Sequence, residues 1–393
     1  MPRPENSKKD MAKKKNILIV AGEASGDLYA AQLIKELKEL CPQIYFFGLG
    51  GVKMQEAGLD SSFNIVELAV VGLFEVLKNL KKFKEIFHEL LKKVDLIKPE
   101  LAILVDYPGF NLRLAKELKQ RKIPIIYYIS PQVWAWGSGR IKTIRNTVNR
   151  MIVFFKFEEE LYKKENIPVT FVGHPLLDCV AAKMSREELF RQQNIPAAKF
   201  TVALLPGSRE KEVRNILPIM LDTACLLYKN LPNANFLILR SPTVKEELFQ
   251  DILSAYQLPA HLIHGLTYDG LRASDFAMVA SGTATLETAI LGKPMVILYK
   301  VSFLSWLYLR MAIKVPFIGI VNIIAGQCIV PEFIQYHAQP KVIASFIKDF
   351  LTNPQEQDRI KKILSEVKMR LGEKQATRKA ARVIFEELQK YEN

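Results

Sequence analysis

Short apolar runs alternate with amphipathic segments along most of the chain. Continuous apolar runs of this length are typical of parallel strands buried on both faces, and apolar residues at three- and four-residue steps are typical of helices. The predicted strands are 16–21, 43–48, 101–105, 125–129, 151–155 and 169–172 in the first half and 200–205, 235–239, 261–263, 275–280 and 295–299 in the second. This alternation predicts an α/β fold with a doubly wound parallel sheet in each half.

The two similar halves suggest two Rossmann-like domains and a set of closing helices. Helices are expected from Lys341, Gln355 and Lys374, and the last is expected to pack back on the first domain. The predicted divisions are a flexible basic tail at 1–15, an N-terminal domain at 16–175, a C-terminal domain at 176–345, and helices crossing back at 346–393.

Composition narrows the class of partner. The 393 residues are 49% hydrophobic, so a large core is available, and the formal net charge of +14 favours an anionic partner. Outside the Lys-rich tail the basic residues alternate with apolar ones on helices, so nucleic acid is not expected. The four cysteines are isolated, which fits a reducing cytoplasm. No uninterrupted apolar stretch is long enough to span a bilayer.

In the second half, two turns follow predicted strands and suit phosphate groups. Ser281-Gly282-Thr283 starts a helix with almost bare backbone, so its N–H groups and positive end can face an anion. Glu287 follows within reach of a ribose. Gly207-Ser208-Arg209 combines close backbone approach with a delocalised charge. Each turn has an ordinary interpretation as helix capping.

In the first half, acidic residues follow the predicted strands. The turn from Gly22 to Asp27 carries Glu23, Ser25, Gly26 and Asp27, which suit sugar hydroxyls or simply cap the next helix. Asp106 follows the strand at 101–105 and precedes Pro108-Gly109, so it is a candidate catalytic base or a helix cap. Trp134 and Arg140 predict either a sugar platform beside a phosphate clamp or a core residue beside a solvated face.

One helical segment combines a broad apolar surface with lysines. Its front end carries apolar residues on more than one face, and four lysines follow at 78–84. This pattern suits a helix in the interface of an anionic membrane, or a domain-edge helix packed on a neighbour. The candidate membrane contacts are Val70, Val71, Leu73, Phe74 and Leu77. The apolar and basic segment 303–314 is a second candidate.

Six motifs occur in an order that resembles the lipid-A-disaccharide synthase family, glycosyltransferase family 19. The resemblance covers about Ile17 to Glu332, and no single motif would be specific. The motifs are AGEASGD from Ala21, VDYPGFN from Val105, SPQVWAW from Ser130, GHP from Gly173, LPGSR from Leu205 and SGTATLE from Ser281.

The resemblance implies an inverting hexosyltransferase of the glycosyltransferase-B fold, with two domains facing a cleft. Such an enzyme condenses UDP-2,3-diacylglucosamine with 2,3-diacylglucosamine 1-phosphate (lipid X) to form the β-1,6 lipid A disaccharide 1-phosphate and UDP. It needs no metal ion or cofactor and is peripheral on the cytoplasmic face of the inner membrane. A homodimer is compatible with the sequence.

The resemblance also implies roles for individual residues. Asp106 is expected to be the catalytic base, and His174 a hinge residue. The expected UDP-binding residues are Gly207, Ser208, Arg209, Ser281, Gly282, Thr283, Thr285, Glu287 and Asn322; the expected acceptor-binding residues are Glu23, Ser25, Gly26, Asp27, Trp134 and Arg140. Gln327 stands where the family carries a cation, which puts a phosphate contact there in doubt.

Three other functions remain open at this stage. A UDP-N-acetylglucosamine 2-epimerase or another lipid-linked glycosyltransferase would use the same fold. A non-catalytic lipid- or nucleotide-binding membrane protein would share the charge and the apolar segments. The paired turns at strand ends favour an enzyme.

Overall fold

A computed structural model describes residues 15–64, 80–134, 139–301, 306 and 315–391. The chain divides into two compact units. The first comprises the described residues up to Pro175 together with those from Lys374 onward, and the second comprises Leu176–Glu373. The predicted return of the C-terminal helices therefore starts later than residue 346, because the segment 346–373 packs within the second unit.

The first unit contains a sheet of seven parallel strands within the described residues. Their order is β3-β2-β1-β4-β5-β6-β7. The strands are β1 Lys15–Ala21, β2 Ile44–Gly50, β3 Leu59–Asn64, β4 Leu101–Val105, β5 Ile125–Tyr128, β6 Arg150–Val153 and β7 Val169–Phe171. The central strands β1 and β4 are almost wholly buried, as their unbroken apolar runs predict. The edge strand β3 was not predicted, because its residues, LDSSFN, contain no unbroken apolar run.

Helices cover both faces of this sheet. They are α1 Ala24–Leu40, α2 Val52–Glu56, α3 Leu80–Ile97, α4 Pro108–Gln120, α5 Gly139–Thr147 and α6 Lys156–Lys164. On one face, α1 packs with residues near the C-terminus, among them Ile384 and Leu388. On the other face, the apolar stripe of α3, including Leu90 and Val94, packs with α4. Residues 70–77, the segment predicted to contact a membrane, lie outside the described residues.

The second unit repeats this architecture. Its described strands, all parallel, have the order β10-β9-β8-β11-β12-β13. They are β8 Phe200–Leu205, β9 Ala234–Arg240, β10 Ala260–His264, β11 Phe276–Ala280, β12 Met295–Tyr299 and β13 Glu332–Ile334. The two sheets confirm the predicted α/β class.

The remaining helices surround the second sheet, except the last one. They are α7 Leu176–Cys179, α8 Arg186–Gln192, α9 Glu210–Asn230, α10 Glu246–Leu253, α11 Thr267–Ala273, α12 Thr283–Ile290, α13 Ile320–Ala325, α14 Pro340–Leu351, α15 Pro354–Arg370 and α16 Ala376–Lys390. The last helix, α16, packs along α1 in the first unit. Arg150 on β6 ties it there through an ion pair with Glu387 of 2.7 Å. Among the described helices, none has the length and apolar character needed to span a bilayer.

Candidate active site

In each sheet the strand order reverses once, and ligands of such sheets bind at the carboxyl edge beside that point. In the first unit the reversal lies between β1 and β4, where Ala21 pairs with Val105. The turns that follow these two residues carry Glu23 and Asp106. In the second unit the reversal lies between β8 and β11, so the Gly207 and Ser281 turns meet there.

Asp106 has a carboxyl group suited to proton transfer near neutral pH. The pKa of Asp106 is raised to about 7, mainly by burial and next by the negative charge of Glu23. The N–H of Tyr107 and the charge of Arg140 act against this rise. A general base is most effective when its pKa lies near the working pH. Glu23 and Arg140 thus lie near enough to Asp106 for their charges to act on its pKa.

The β1 turn depends on a glycine. The ring of Tyr107 lies against Gly22 so closely that a Cβ at this position would be 2.2 Å from Cδ1 of the tyrosine. No other residue type fits there without moving the ring. The AGEASGD motif thus keeps the β1 turn and the Asp106 turn in contact.

The acidic residues of the β1 turn have different environments. Glu23 and Ser25 are exposed, as residues that bind a sugar would be. Asp27 is buried, and its carboxylate accepts hydrogen bonds from the N–H groups of Gly51 at 2.9 Å, Met54 at 3.1 Å and Lys53 at 3.2 Å. It thus caps α2, which differs from the expected contact with the acceptor. Gly26 is also buried and packs near Ala21.

Trp134 is half-buried beside a second buried acid. Its indole N–H donates to Oε1 of Glu158 at 3.2 Å, and its ring packs edge-on against Phe157 with 5.4 Å between centroids. Burial raises the pKa of Glu158 to about 8, so this carboxyl is protonated at neutral pH. Glu158 was not predicted, because one acid in the run Glu158-Glu159-Glu160 gives no sequence signal of burial. Trp136 lies outside the described residues.

A pocket of about 800 Å³ opens at the reversal point of the second sheet. Most of the predicted UDP-binding residues line it, together with others from the ends of β9 and β10. The predicted residues in its wall are Gly207, Ser208, Arg209, Ser281, Gly282, Thr283 and Glu287. Its volume falls within the range typical of small-molecule sites.

The Gly207 turn presents a cation to this pocket. Gly207 adopts φ +119, and a Cβ there would be 2.7 Å from the Cβ of Glu212. The same glutamate accepts the N–H of Ser208 at 3.0 Å and a guanidinium N–H of Arg209 at 3.3 Å. The side chain of Arg209 is 82% exposed, so most of its donors face solvent. This arrangement suits an anionic ligand.

The start of α12 faces the same pocket without a side-chain cap. Its N-cap residue is Gly282, which has no side chain to accept a hydrogen bond from the first N–H groups of the helix. Thr285 is buried and its hydroxyl donates to the carbonyl oxygen of Gly282 at 2.7 Å. Thr285 therefore holds the turn, in place of the direct UDP contact that was expected, and is absent from the pocket wall.

Glu287 lies one turn further along α12, with a partner that the sequence did not reveal. The hydroxyl of Tyr268 donates to Oε1 of Glu287 at 3.1 Å, and both residues line the pocket. Burial raises the pKa of Glu287 above its usual value, and the Tyr268 hydrogen bond acts against this. Tyr268 follows the short strand β10, so its place after a strand's carboxyl end was the available signal.

Both polar atoms of the Asn322 side chain are hydrogen-bonded within the second unit. Its Nδ2 donates to the carbonyl oxygen of Val330 and to Oε1 of Glu332, both at 2.8 Å. Its Oδ1 accepts the N–H groups of Ile329 at 2.9 Å and Val330 at 3.1 Å. This buried amide organises the segment around α13, which differs from the expected donor contact. Gln327, in the same segment, is exposed.

His174 is buried between two aromatic rings. Its ring centroid lies 5.4 Å from that of Phe154 and 5.2 Å from that of Phe155. Burial lowers the pKa of His174 to about 3, so it is neutral at physiological pH. This environment is consistent with the expected structural role and does not suit a proton carrier.

Comparison with known proteins points to one family of enzymes. A sequence model of the lipid-A-disaccharide synthetase family matches residues 17–388. Lipid-A-disaccharide synthase of Syntrophus aciditrophicus is 47% identical over 368 residues, which are 93% of this chain and 96% of the relative. The synthase of Geobacter sulfurreducens is 39% identical over 374 residues, covering 95% and 97% of the two chains.

Solved structures show the fold alone. A glycosyltransferase of kitacinnamycin superposes with a TM-score of 0.62 at 13% identity, covering 96% of this chain and 100% of the other. UDP-N-acetylglucosamine 2-epimerase of Neisseria meningitidis gives 0.58 at 16% identity, covering 95% and 100%. The glycosyltransferase-B fold class is thus confirmed, and the epimerase is only a distant structural neighbour. Since the family match and relatives this similar extend over nearly the whole chain, the protein belongs to the lipid-A-disaccharide synthase family of glycosyltransferases.

Proposed function

We propose that the protein joins UDP-2,3-diacylglucosamine to 2,3-diacylglucosamine 1-phosphate with inversion at the transferred carbon. The products are the β-1,6-linked lipid A disaccharide 1-phosphate and UDP. The observation that carries the proposal is the pairing of two strand-end sites. One presents a carboxyl group with a pKa near neutrality, and the other presents a pocket with a cation, a bare helix start and a buried acid.

Asp106 acts as the general base in this proposal. Its carboxylate takes the proton from the 6-hydroxyl of the acceptor while that oxygen attacks C1 of the donor sugar. The bond from C1 to the diphosphate oxygen breaks, and UDP leaves with the bonding electron pair. Removing the proton during attack lowers the barrier, because a free hydroxyl is a weak nucleophile at neutral pH.

The second unit stabilises the leaving UDP. At the pocket wall, Arg209 carries a positive charge and the start of α12 presents backbone N–H donors. Both act where the diphosphate gains negative charge as it leaves. Glu287 accepts hydrogen bonds from the ribose hydroxyls, with Tyr268 fixing the orientation of its carboxylate. Tyr299, at the end of β12, lies near enough to Glu212 and Arg209 for both charges to act on the pKa of its hydroxyl.

Glu23, Ser25, Trp134 and Arg140 bind the acceptor lipid in this proposal. Glu23 and Ser25 are exposed, the charge of Glu23 acts on Asp106, and Arg140 offers a cation to the 1-phosphate. Asp27 supports this site indirectly, because its carboxylate caps α2. Gly26 supports it by packing near Ala21 at the end of β1.

The diacyl substrates also require access to a membrane, and we include an anionic lipid surface among the partners. The sequence of Val70, Val71, Leu73, Phe74 and Leu77 supports this, and these residues lie outside the described part of the chain. Replacing Leu73 and Phe74 with Ser should release the protein from vesicles containing anionic lipid. Unchanged sedimentation with such vesicles would assign the segment to the core.

Mass spectrometry of the products tests the function directly. Incubation with both lipid substrates should yield the disaccharide 1-phosphate and UDP in equal amounts. Incubation with UDP-N-acetylglucosamine alone should leave it unchanged. Conversion of UDP-N-acetylglucosamine to its 2-epimer, which has the same mass and is detected by proton NMR, would instead support the rival reaction. UDP binding without turnover of either lipid would support a non-catalytic protein.

A further inference from the structure

The residues that bear the proposed base have an unusual backbone. Asp106 has φ +44 and Tyr107 has φ +46, so two consecutive non-glycine residues occupy the left-handed region. Each such residue is disfavoured because its Cβ approaches the following carbonyl oxygen, and asparagine and aspartate tolerate the region best. Two adjacent residues persist there only when surrounding groups hold them.

Two buried side chains donate hydrogen bonds to the same carbonyl oxygen of this turn. The carbonyl oxygen of Asp106 accepts the hydroxyl of Tyr127 at 2.6 Å and Nδ2 of Asn111 at 2.8 Å. Both donors are fully buried. Burial keeps the pKa of Tyr127 well above its usual value, so its hydroxyl retains its proton and donates.

Asn111 also joins this turn to the two central strands. Its Nδ2 lies 3.1 Å from the carbonyl oxygen of Val105 at the end of β4 and 3.4 Å from that of Val20 in β1. Since all three neighbours are carbonyl oxygens, the amide nitrogen must face them. Asn111 belongs to α4 and Tyr127 to β5, so two separate elements donate to one carbonyl oxygen.

We propose that Tyr127 and Asn111 are positioning residues that fix the direction of the Asp106 carboxylate by clamping the carbonyl oxygen of the same residue. This inference rests on the proposed role of Asp106 as base. Neither residue contacts the reacting atoms in the proposal. If the clamp is removed, the turn can relax toward an ordinary backbone conformation, which turns the carboxylate away from the acceptor and toward water.

Tyr127→Phe removes one donor and keeps the ring. A single neutral hydrogen bond corresponds to a change of about 2- to 10-fold, so kcat should fall by about this factor. KM for the UDP donor should not change, because the donor pocket lies in the other unit. The acidic limb of the kcat–pH profile should move to lower pH, because a better hydrated carboxyl has a lower pKa.

Tyr128→Phe is the matched control. Tyr128 follows Tyr127 on β5 and is equally buried, but its ring belongs to the cluster on the opposite face of the sheet, with Ala380 and Ile384. This variant loses a buried hydroxyl of the same strand without touching the carbonyl oxygen of Asp106. It should keep the wild-type kcat and pH profile.

Asn111→Ala alone and with Tyr127→Phe extends the series. The double variant should lose more kcat than either single variant, with the same direction of pH shift. If Asn111→Ala does not fold, Tyr127→Phe still decides the matter. A kcat and pH profile for Tyr127→Phe equal to those of Tyr128→Phe would overturn the clamp.

A cycle with Asp106→Asn separates this inference from the proposed function. When Asp106→Asn is nearly inactive, adding Tyr127→Phe should leave the residual rate unchanged, because the clamp acts through the lost carboxylate. A further loss of the same size as in wild type would reduce Tyr127 to a structural residue. A fully active Asp106→Asn would instead refute the base, and with it the reason for a clamp.

Discussion

Glu23 and Asp106 stand at the carboxyl ends of two adjacent parallel strands, and their carboxyl groups interact. Burial is the main cause that raises the pKa of Asp106 to about 7, and the charge of Glu23 is the next. The register of β1 and β4, with Ala21 opposite Val105, brings the two acids together. The strand order of the first sheet therefore places the negative charge of Glu23 beside the candidate base Asp106.

Asp106→Asn should abolish transfer while leaving the fold intact. Loss of a well-placed general base costs about a hundred- to ten-thousand-fold in rate. The amide retains nearly the same shape, so the melting temperature and UDP affinity should stay close to wild type. Initial rates of disaccharide formation provide the measurement, and a near-normal rate would remove Asp106 from the role.

Glu23→Gln should shift the pH dependence of kcat. A general base works in its ionised form, so the rate falls as pH drops through the pKa of Asp106. Removing the negative charge of Glu23 lowers this pKa, and the acidic limb should move to lower pH. Arg140→Gln should move the limb in the opposite direction, because Arg140 now lowers the pKa.

Glu39→Gln is the control for this shift. It removes the same charge from the far end of α1, about 24 Å along the helix axis from Glu23. Its pH profile should match wild type. An equal shift in Glu39→Gln would point to the net charge of the protein, not to the neighbouring acid.

Glu287→Gln should weaken recognition of the ribose. Hydrogen bonds to a charged group contribute about 1.5–3 kcal/mol, so the affinity for UDP should fall about 10-fold or more. Wild type should prefer UDP to 2′-deoxy-UDP, and the variant should lose most of this preference. Calorimetric titration with both nucleotides measures it. Glu247→Gln, on α10 outside the pocket wall, should retain the preference, and an unaltered preference in Glu287→Gln would rule out the ribose contact.

Arg209→Ala should act on the diphosphate and not on the nucleoside. Its exposed guanidinium lines the pocket and bonds to Glu212 at 3.3 Å. We expect UDP to bind about 10- to 100-fold more weakly, and uridine to bind as in wild type. Arg214→Ala removes an exposed cation from the same helix, α9, away from the pocket wall. Equal losses in the two variants would indicate a general charge effect.

Glu158→Gln should change how stability depends on pH. The folded pKa of Glu158, about 8, lies above its ordinary value of 4.5, because the group is buried. The resulting stability is fully present below pH 4.5 and is lost as pH rises through about 8. The glutamine variant cannot ionise, so its melting temperature should fall less between pH 6 and pH 9 than that of wild type. Parallel melting curves for both proteins would contradict the buried, protonated carboxyl.

Several parts of the site were readable in the sequence because their causes are local. Gly207 and Gly22 mark turns where only glycine fits, and Pro108, two residues after Asp106, takes the first position of α4. Arg209 stands directly before the first residue of α9, and Glu287 stands about one turn after the first residue of α12. The predicted residues of the donor pocket therefore came together in one cavity, with Thr285 and Asn322 as exceptions.

These exceptions, and Asp27, share one physical reason. A polar side chain at a motif position looks the same in sequence whether it faces a ligand or a buried backbone group. Asp27 caps α2, Thr285 bonds to Gly282, and Asn322 joins Val330 to Glu332. Buried polar groups must find partners, and these partners lie up to 27 residues away in the chain.

By itself, the sequence determined the two α/β halves, the positions of most strands and helices, and the turns at the carboxyl ends of strands. Hydrophobic periodicity and glycine turns are local properties, so they survive without knowledge of the neighbours. Only the tertiary structure decided the strand order that places Glu23 beside Asp106, the burial that raises the pKa of Glu158, and the clamp of Tyr127 and Asn111. Each of these depends on contacts between segments far apart in the chain, and such contacts exist only once the sheet has formed.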